Sequence, residues 1–329
     1  MTKKDKVNRE AREGTLGHPI ILITGGTGFA GSHLVEELIK RGYKNIHVTA
    51  FGTQNNIVHS LIPANNVHQL DLTKEKPTFE LIKKIKPDHI YHLAALSAVG
   101  SSFDKIKFIL KSNLELQLNI LNAIKKYAPK SRNLIIGSAL EYKPSEDPHQ
   151  ETDSLGPISP YAVSKVLQDT LSYSYAKTYN LDIVIARPFN HIGERQAPGF
   201  VVSDFASQIV KIERGQQTEI KVGNLKATRD FTDVHDMVKA YILLIEKGKS
   251  GEIYNIGSGK GYSIQEILDT LCQLSNTKVK IETDQDKYRP IDVPKIIADN
   301  SKIKKLGWQT QVDIEDTLER ILNWWRTNN

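Results

Sequence analysis

Two side chains that could act as an acid/base pair, Tyr161 and Lys165, lie one helical turn apart in the sequence Tyr-Ala-Val-Ser-Lys. Residues four apart on a helix share a face. An ammonium about 4 Å from the phenol, at an effective dielectric of about 20, favours the phenolate by about 4 kcal/mol, which lowers the pKa of Tyr161 by about three units. Such a phenol can donate or accept a proton while hydride moves at a neighbouring carbon. An ordinary helix surface also shows this spacing, so the pair predicts catalysis only beside a nicotinamide site.

A glycine-rich turn near the start of the chain predicts that site. The apolar run Ile20–Ile23 is typical of a buried strand, and the helical pattern 32–41 follows shortly after it. Gly25, Gly28 and Gly31 lie between the two. Their missing side chains allow a tight turn, close approach of a diphosphate and close packing of helix on strand. The helix amides and dipole then favour phosphate binding, so we expect a dinucleotide here.

Strand and helix patterns alternate through the rest of the first half. Predicted strands cover 46–50, 89–94, 134–137 and 183–186, and predicted helices cover 77–85, 103–127 and 160–179. This alternation predicts an α/β fold, a doubly wound parallel sheet of the Rossmann type with helices on both faces. Ligands bind such sheets at the carboxyl ends of the strands.

The second half is organised differently and predicts a smaller α/β C-terminal lobe. Its predicted elements are helices at 201–214, 233–247 and 264–274 and strands at 220–222 and 252–256. Residues 1–18 are polar and aperiodic, which predicts a mobile tail. We therefore expect a dinucleotide-binding domain over 19–187 plus 229–256, and a nucleotide-sugar-binding lobe over 188–228 plus 257–329.

Several motifs, in one order along the chain, carry a family resemblance. They are Gly25 to Gly31, Asp71-Leu72, His92-Leu93-Ala94-Ala95, Asn113, Gly137-Ser138, Tyr161 with Lys165, Arg187-Pro188-Phe189-Asn190, Arg229-Asp230-Phe231 with Asp233, and Arg289-Pro290. From about Ile20 to Trp325 the chain resembles the extended short-chain dehydrogenase/reductases that act on nucleotide sugars. The segments 187–193 and 196–200 are most similar to the GDP-sugar branch, which includes the GDP-4-keto-6-deoxy-D-mannose reductases and the GDP-mannose 4,6-dehydratases.

The resemblance implies a role for each matched residue. The implied catalytic residues are Tyr161 as acid/base, Lys165 lowering its pKa, and Ser138 bonding the reacting sugar oxygen. The implied cofactor-binding residues are Gly25, Thr27, Gly28, Phe29, Ala30, Gly31, Asp71, Leu72, Leu93, Ala94, Ala95, Asn113, Tyr161, Lys165 and Arg187. The implied substrate-binding residues are Asn190, His191, Val201, Arg229 and Arg289, the two arginines facing the GDP diphosphate.

The residues after Ser138 favour a reductase over a dehydratase. Elimination of water from a sugar needs an acid and a base, and the dehydratase relatives carry a carboxylate one or two residues after the catalytic Ser or Thr. This chain has Ala139 and Leu140 there, and Glu141 comes one residue too late, on the opposite face of an extended segment. A lyase is the alternative if Glu141 or Glu194 reaches the sugar. Another nucleotide-sugar epimerase or dehydratase, or a non-catalytic nucleotide-binding module, also stays open.

Two departures from the family pattern affect the ligands. Relatives commonly have Gly-Pro-Gly-Gln where this chain has Gly193-Glu194-Arg195-Gln196, so charge near the sugar could mean an altered hexose or a heptose. The second strand ends at Phe51 and Gly52, without the acid that would bind a ribose 2′-hydroxyl. The cofactor is therefore NADP(H) or NAD(H), with NADP(H) favoured because a carboxylate would repel the 2′-phosphate.

Composition agrees with a cytoplasmic enzyme of small molecules. The 329 residues contain one cysteine, Cys272, and no apolar run long enough to span a membrane. The net charge of +6 suits phosphorylated ligands, and no basic run is interleaved with aromatics as nucleic-acid binding would require. The ten histidines show no metal-ligand spacing, so we expect no metal. The resemblance implies a homodimer, paired through the segments 103–127 and 160–179.

Overall fold

The structure is a computed structural model, and it describes residues 18–52, 57–96, 105–275, 277–288 and 293–328. Seven parallel strands form the main sheet: β1 (Ile21–Thr24), β2 (Ile46–Ala50), β3 (Val67–Gln69), β4 (His89–His92), β5 (Arg132–Ile136), β6 (Asp182–Pro188) and β10 (Ile253–Ile256). Their order across the sheet is β10-β6-β5-β4-β1-β2-β3, which confirms the predicted doubly wound architecture.

Helices cover both faces of this sheet: α1 (Phe29–Lys40), α2 (Ile57–Leu61), α3 (Glu75–Ile85), α4 (Ile106–Tyr127), α5 (Pro160–Tyr179), α7 (Val234–Lys247) and α9 (Ser301–Lys304). Strand β1 shows why its sequence is apolar at every position. Ile21 and Ile23 pack into one core, with α1 and α7, whereas Leu22 packs into the other, with α3 and α4. A strand buried on both faces needs a continuous apolar run.

The remaining elements build a second body with its own core. Its strands are β7 (Asn190–Ile192), β8 (Glu219–Val222), β9 (Thr228–Asp233), β11 (Gly261–Ser263), β12 (Lys280–Thr283) and β13 (Lys295–Ile296), and its helices are α6 (Val201–Glu213), α8 (Ile264–Ser275) and α10 (Ile314–Asn328). Apolar side chains of the three helices pack together, including Phe205, Leu268 and Leu322. Strand β9 pairs with β7, β11 and β13, so its residues belong to this second set of strands.

Local sequence fixes the start and the end of helix α5, which carries the predicted acid/base pair. The Ser159 hydroxyl accepts a hydrogen bond from the Ala162 N–H at 3.2 Å, and Pro160 occupies the first helical position. The helix ends at Asn180, whose φ of +53° is left-handed. Tyr161 therefore lies in the first turn, at the end of the helix that faces the strand termini.

Element boundaries differ from the predictions by a few residues. Helix α3 begins two residues before Pro77, because proline is tolerated in a first turn whose N–H groups have no helical partner. Strand β4 ends at His92 instead of residue 94, where the chain turns towards the glycine-rich segment. The predicted tail falls mainly on residues 1–17, and the start of the predicted helix 103–127 falls on 103–104; both lie outside the described residues.

Candidate active site

The glycine-rich turn joins β1 to α1 and depends on two of its glycines. Gly25 has φ +67°, and a Cβ there would lie 3.1 Å from the Ala94 Cα. A Cβ on Gly31 would collide with the Gly25 carbonyl and lie 2.8 Å from the Gly26 Cα. Any other residue at either position would push apart the turn and its neighbours. The Gly25 N–H also donates to Thr49 Oγ1 at 3.0 Å, which ties the turn to β2.

A cavity of about 760 Å³ runs from this turn, over the carboxyl ends of the strands, to the second body. Most of the predicted site residues line it. These are Gly25, Thr27, Gly28, Phe29, Ala30, Gly31, Asp71, Leu72, Leu93, Ala94, Ala95, Ser138, Tyr161, Lys165, Asn190, His191 and Val201. The cavity therefore brings together residues of the first and second halves of the chain.

Ser138, Tyr161 and Lys165 meet where β5 ends. Ser138 caps a short 3₁₀ helix, Ala139–Glu141, and its hydroxyl is within hydrogen-bonding contact of the Tyr161 phenol. Lys165 lies one turn further along α5, and its Nζ donates to the Ile136 carbonyl at 2.7 Å and to Gln168 Oε1 at 3.0 Å. The three side chains share one wall of the cavity, which is the arrangement that proton transfer to a bound carbonyl requires.

The predicted direction of the Tyr161 pKa is wrong for this structure. Burial raises the pKa of Tyr161 well above its usual value and nearby Glu141 raises it further, whereas the hydrogen bond with Ser138 lowers it. The Lys165 ammonium is held by its two acceptors, 6.0 Å from the centre of the Tyr161 ring. Burial also lowers the pKa of Lys165 to about 8, although Glu141 and Asp169 act against this shift. Spacing along the helix predicted proximity but not the desolvation of both groups.

Asn113 and Arg187, both predicted to bind cofactor, lie outside the cavity lining. Asn113 is fully buried, and its side-chain oxygen accepts a hydrogen bond from the Leu96 N–H. Its amide nitrogen donates to the Leu96 carbonyl and to Ser164 Oγ, the latter at 2.9 Å. Arg187 is buried behind the site, where its Nε donates to Asp169 Oδ2 at 2.8 Å. Both side chains therefore pack behind the cavity wall, and their assignment to the cofactor stays a prediction.

The two arginines predicted to face the diphosphate are placed differently. Arg229 is buried in β9 and is absent from the described lining of the cavity, and one of its Nη atoms donates to the Thr228 carbonyl at 2.9 Å. Arg289 lies outside the described residues. Phe231, two residues after Arg229 on β9, does line the cavity.

Neither candidate acid for a dehydratase faces the cavity. Glu141 is fully buried on a 3₁₀ helix, not on the extended segment that was predicted, and its Oε1 accepts from the Ser138 N–H at 2.6 Å. Glu194 points away from the cavity and pairs with Arg320 at 2.9 Å and His235 at 3.8 Å. Burial raises the pKa of Glu194, but its contacts with these two partners outweigh burial and hold the pKa well below its usual range.

Arg195 lines the cavity, although the sequence did not identify it as a site residue. Its φ is +70°, and its Nη1 donates to Glu36 Oε1 on α1 at 3.0 Å. A positive φ explains why relatives commonly carry glycine at this position. The departure from the family pattern was the available signal, but it was interpreted as charge near the sugar. The structure instead places the guanidinium against helix α1, which follows the glycine-rich turn.

Other lining residues carried weaker signals. Thr49 and Phe51 lie at the end of β2, Thr73 lies in the turn after β3, and Gln196 and Tyr241 come from the second half of the chain. Thr73 holds Asp71 in place, since both its N–H and its hydroxyl donate to Asp71 Oδ1, at 2.9 and 2.7 Å. No periodicity or motif distinguishes such residues from ordinary loop residues.

Among the described residues, no three His, Cys, Asp or Glu side chains are grouped so that they could hold a metal ion. In the same part of the chain, no helix is both long enough and apolar enough to cross a membrane.

Comparison with known proteins places this geometry among nucleotide-sugar enzymes. Residues 22–321 match the family model described as GDP-mannose 4,6 dehydratase. The chain is 29% identical to a GDP-6-deoxy-D-mannose reductase of Pseudomonas aeruginosa, over 93% of this chain and 97% of that protein. It is 32% identical to GDP-mannose 4,6 dehydratase 2 of Arabidopsis thaliana, over 92% and 86% of the two chains. A solved structure of RMD from Pseudomonas aeruginosa, complexed with NADPH, superposes with a TM-score of 0.83 at 28% identity, over 94% of this chain and 100% of the other.

Proposed function

Because the chain belongs to the GDP-mannose 4,6-dehydratase family of short-chain dehydrogenase/reductases, a family of NAD(P)-dependent nucleotide-sugar enzymes, we propose that it reduces a GDP-linked 4-keto-6-deoxy sugar. One observation carries this proposal. Asp71 is the only carboxylate among the described residues that line the cavity. It follows β3, whereas Ser138 follows β5, and four strand spacings separate the two strands, roughly 19 Å. Among the described lining residues, the end of the cavity near Ser138 therefore holds a proton donor but no carboxylate for elimination.

Ser138, Tyr161 and Lys165 would supply the proton transfer that accompanies a reduction. The cavity fits a nicotinamide dinucleotide, because the backbone of the glycine-rich turn is open to the cavity. Such a cofactor supplies hydride when it is bound. Ser138 and Tyr161 would bond the oxygen at carbon 4 of the sugar. As that carbon gains hydride, the Tyr161 hydroxyl gives its proton to the oxygen, and the product is the alcohol. Lys165 would bond the ribose and limit the cost of the phenolate that remains.

The cofactor we propose is NADP(H), with NAD(H) as the alternative. No acid stands at the end of β2, where a carboxylate would bond a ribose 2′-hydroxyl and repel a 2′-phosphate. Thr49 and Phe51 line this part of the cavity instead. The Pseudomonas structure with NADPH supports this choice, whereas a UDP-glucose 4-epimerase of Thermus thermophilus, at 24% identity, was solved with NAD and supports the fold alone.

The nucleotide-sugar would occupy the side of the cavity formed by the second body. Asn190, His191 and Val201 line that side. Burial lowers the pKa of His191, so its ring is neutral near pH 7 and suits an uncharged sugar hydroxyl. The predicted diphosphate contacts of Arg229 and Arg289 stay predictions, and so does the division of the chain into two domains.

We further propose a cytoplasmic homodimer. Apolar side chains on the neighbouring helices α4 and α5 are exposed, including Ile106, Leu167, Tyr173 and Tyr179. A second copy would cover them. Light scattering of the purified protein, with Leu167→Glu compared with wild type, tests this assembly.

The reaction itself is tested by offering two substrates in parallel. With reduced cofactor and GDP-4-keto-6-deoxy-mannose, we expect loss of nicotinamide absorbance. With GDP-mannose and oxidised cofactor, we expect no change in mass. Loss of water from GDP-mannose without net cofactor consumption would instead identify a dehydratase, and turnover of neither substrate would favour a non-catalytic nucleotide-binding module.

A further inference from the structure

A buried charge cluster lies directly behind Ser138 and Lys165. Glu141, Asp169 and Arg187 are 0%, 3% and 3% exposed. Glu141 comes from the 3₁₀ helix after β5, Asp169 from α5 one turn beyond Lys165, and Arg187 from β6. These groups do not line the cavity, so the proposed reaction assigns them no direct part.

The single guanidinium is shared unequally between the two carboxyl groups. Arg187 Nε and Nη2 both lie 2.8 Å from Asp169 Oδ2. Glu141 Oε2 is 3.2 Å from Arg187 Nε, without the geometry of a hydrogen bond. Asp169 therefore holds the closer ion pair with Arg187, and Glu141 holds the longer one.

The two carboxyl groups also face each other. They lie in hydrogen-bonding contact, and neither Glu141 Oε2 nor Asp169 Oδ1 has a hydrogen-bond donor among the described residues. Both groups lie close to Gly137, which leaves no room for a side chain there. A Cβ at that position would lie 2.6 Å from Glu141 Oε1 and 2.9 Å from Asp169 Oδ1. Two buried carboxylates in contact repel each other strongly, and one proton between them removes the repulsion and satisfies both oxygens.

We propose that Glu141 is buried as a neutral carboxylic acid whose hydroxyl donates to Asp169 while its Oε1 accepts the Ser138 N–H, which makes Glu141 the positioning residue for Ser138. The inference rests on the proposed function, in which Ser138 bonds the sugar oxygen. Glu141 would thus fix the turn that aims the Ser138 hydroxyl into the cavity, without adding a second negative charge behind it.

The charges around Glu141 support this protonation state. The groups that face it are Tyr161, Lys165 and Asp169 from α5, Arg187 from β6, and the Ser138 backbone from its own helix. Burial raises the pKa of Glu141 strongly, and Asp169 raises it further against the opposing effect of Arg187. An ionised Glu141 would also raise the pKa of Tyr161. The shared proton removes that effect, so the phenol can ionise more easily during turnover.

Two variants separate the neutral acid from an ionised one. In Glu141→Gln, the amide oxygen can accept the Ser138 N–H and the amide N–H can donate to Asp169, so the neutral acid is mimicked. We expect kcat within about twofold of wild type and an unchanged pH profile. A shifted profile would overturn the proposal, since it would mean that a charge had been removed.

Glu141→Leu loses both contacts. We expect kcat to fall at least about tenfold with KM for the cofactor little changed, because the Ser138 turn loses its anchor. Wild-type kcat in this variant would overturn the positioning role. If Glu141→Leu does not fold, the Gln variant and the spectroscopic test below decide the proposal alone.

Infrared difference spectroscopy tests the proton without any substrate. Wild-type protein at neutral pH should show the carbonyl stretching band of a buried protonated carboxyl group, and Glu141→Gln should lack it. The partly exposed Glu115→Gln serves as the control that keeps the band. Absence of the band from wild type, or its persistence in Glu141→Gln, would overturn the proposal. Because this readout needs no turnover, its failure is distinguishable from failure of the proposed reductase activity.

Discussion

Glu141 Oε1 accepts a hydrogen bond from the Ser138 backbone N–H at 2.6 Å, so this carboxyl group lies behind the turn that carries Ser138 and does not line the cavity. Ala139 and Leu140 line the cavity beside Ser138. This contact keeps Glu141 out of the described lining of the cavity, beside the residues that we propose for proton transfer. It is the structural basis for the proposed reductase.

Tyr161→Phe should remove the proton donor with little effect on the fold. We expect kcat to fall by about 10²–10⁴-fold, the usual contribution of a positioned acid, with KM nearly unchanged. Steady-state kinetics with the keto sugar measure this. Tyr173→Phe, half-exposed on the same helix, is the matched control and should keep full activity. Substantial activity in Tyr161→Phe would assign the proton to another group.

The pH dependence of turnover should report Lys165. Burial lowers the pKa of Lys165 to about 8, so the ammonium form exists below that pH and is lost as the pH rises through it. We therefore expect kcat to decline above about pH 8. In Lys165→Arg the guanidinium stays charged, so this alkaline decline should disappear even though the rate at neutral pH falls. The exposed Lys177→Arg is the control, and an identical decline in wild type and Lys165→Arg would contradict the assignment.

Arg195→Gly should weaken cofactor binding without unfolding the protein. Glycine relieves the positive φ of +70°, a strain of about 1 kcal/mol. The lost ion pair with Glu36, which is partly exposed, is worth at most about 1 kcal/mol. The two effects nearly cancel in the free energy of unfolding, whereas the cavity loses a positive charge that favours a diphosphate. Calorimetric titration of NADPH measures the affinity, and Glu36→Gln is the comparison that keeps the guanidinium. Unchanged affinity in Arg195→Gly would exclude a role for this charge.

Acid should destabilise the protein through buried His33. Burial lowers the pKa of His33 to about 3, with Arg195 as the second cause. The folded state thus keeps the ring neutral, while the unfolded chain binds a proton below pH 6.5. Stability that is present above pH 6.5 is lost as the pH falls towards 3, by about 2 kcal/mol at pH 5.

His33→Gln removes this dependence, because its amide can still donate to the Glu194 carbonyl that His33 Nε2 contacts at 3.0 Å. Urea unfolding at pH 7.5 and pH 5 measures the difference. The exposed His59→Gln should behave as wild type. Equal acid sensitivity in wild type and His33→Gln would contradict the shift.

The fold could be predicted from the sequence because its signals are local. An apolar run such as Ile46–Ala50 gives a buried strand directly, and Ser159 with Pro160 marks the start of a helix. The glycine turn and the Tyr161–Lys165 spacing likewise depend on residues close together in the chain. These features identified most of the cavity.

What could not be predicted depends on burial and on contacts across the fold. Arg187 belongs to a matched motif, yet its direction is set by Asp169, 18 residues away in the chain. The pKa of Tyr161 is set mainly by desolvation, which spacing along one helix does not reveal. The place of Glu194 follows from Arg320, 126 residues away, and no local pattern connects the two.

Hydride transfer to a keto sugar is the central step of the proposed reaction. The direct measurement is incubation of GDP-4-keto-6-deoxy-mannose with NADPH deuterated at the transferring position, followed by mass and NMR analysis of the sugar. We expect an alcohol that carries the deuterium on carbon 4, formed by wild type and not by Tyr161→Phe. A recovered keto sugar without deuterium, together with loss of water from GDP-mannose in a parallel sample, would contradict it.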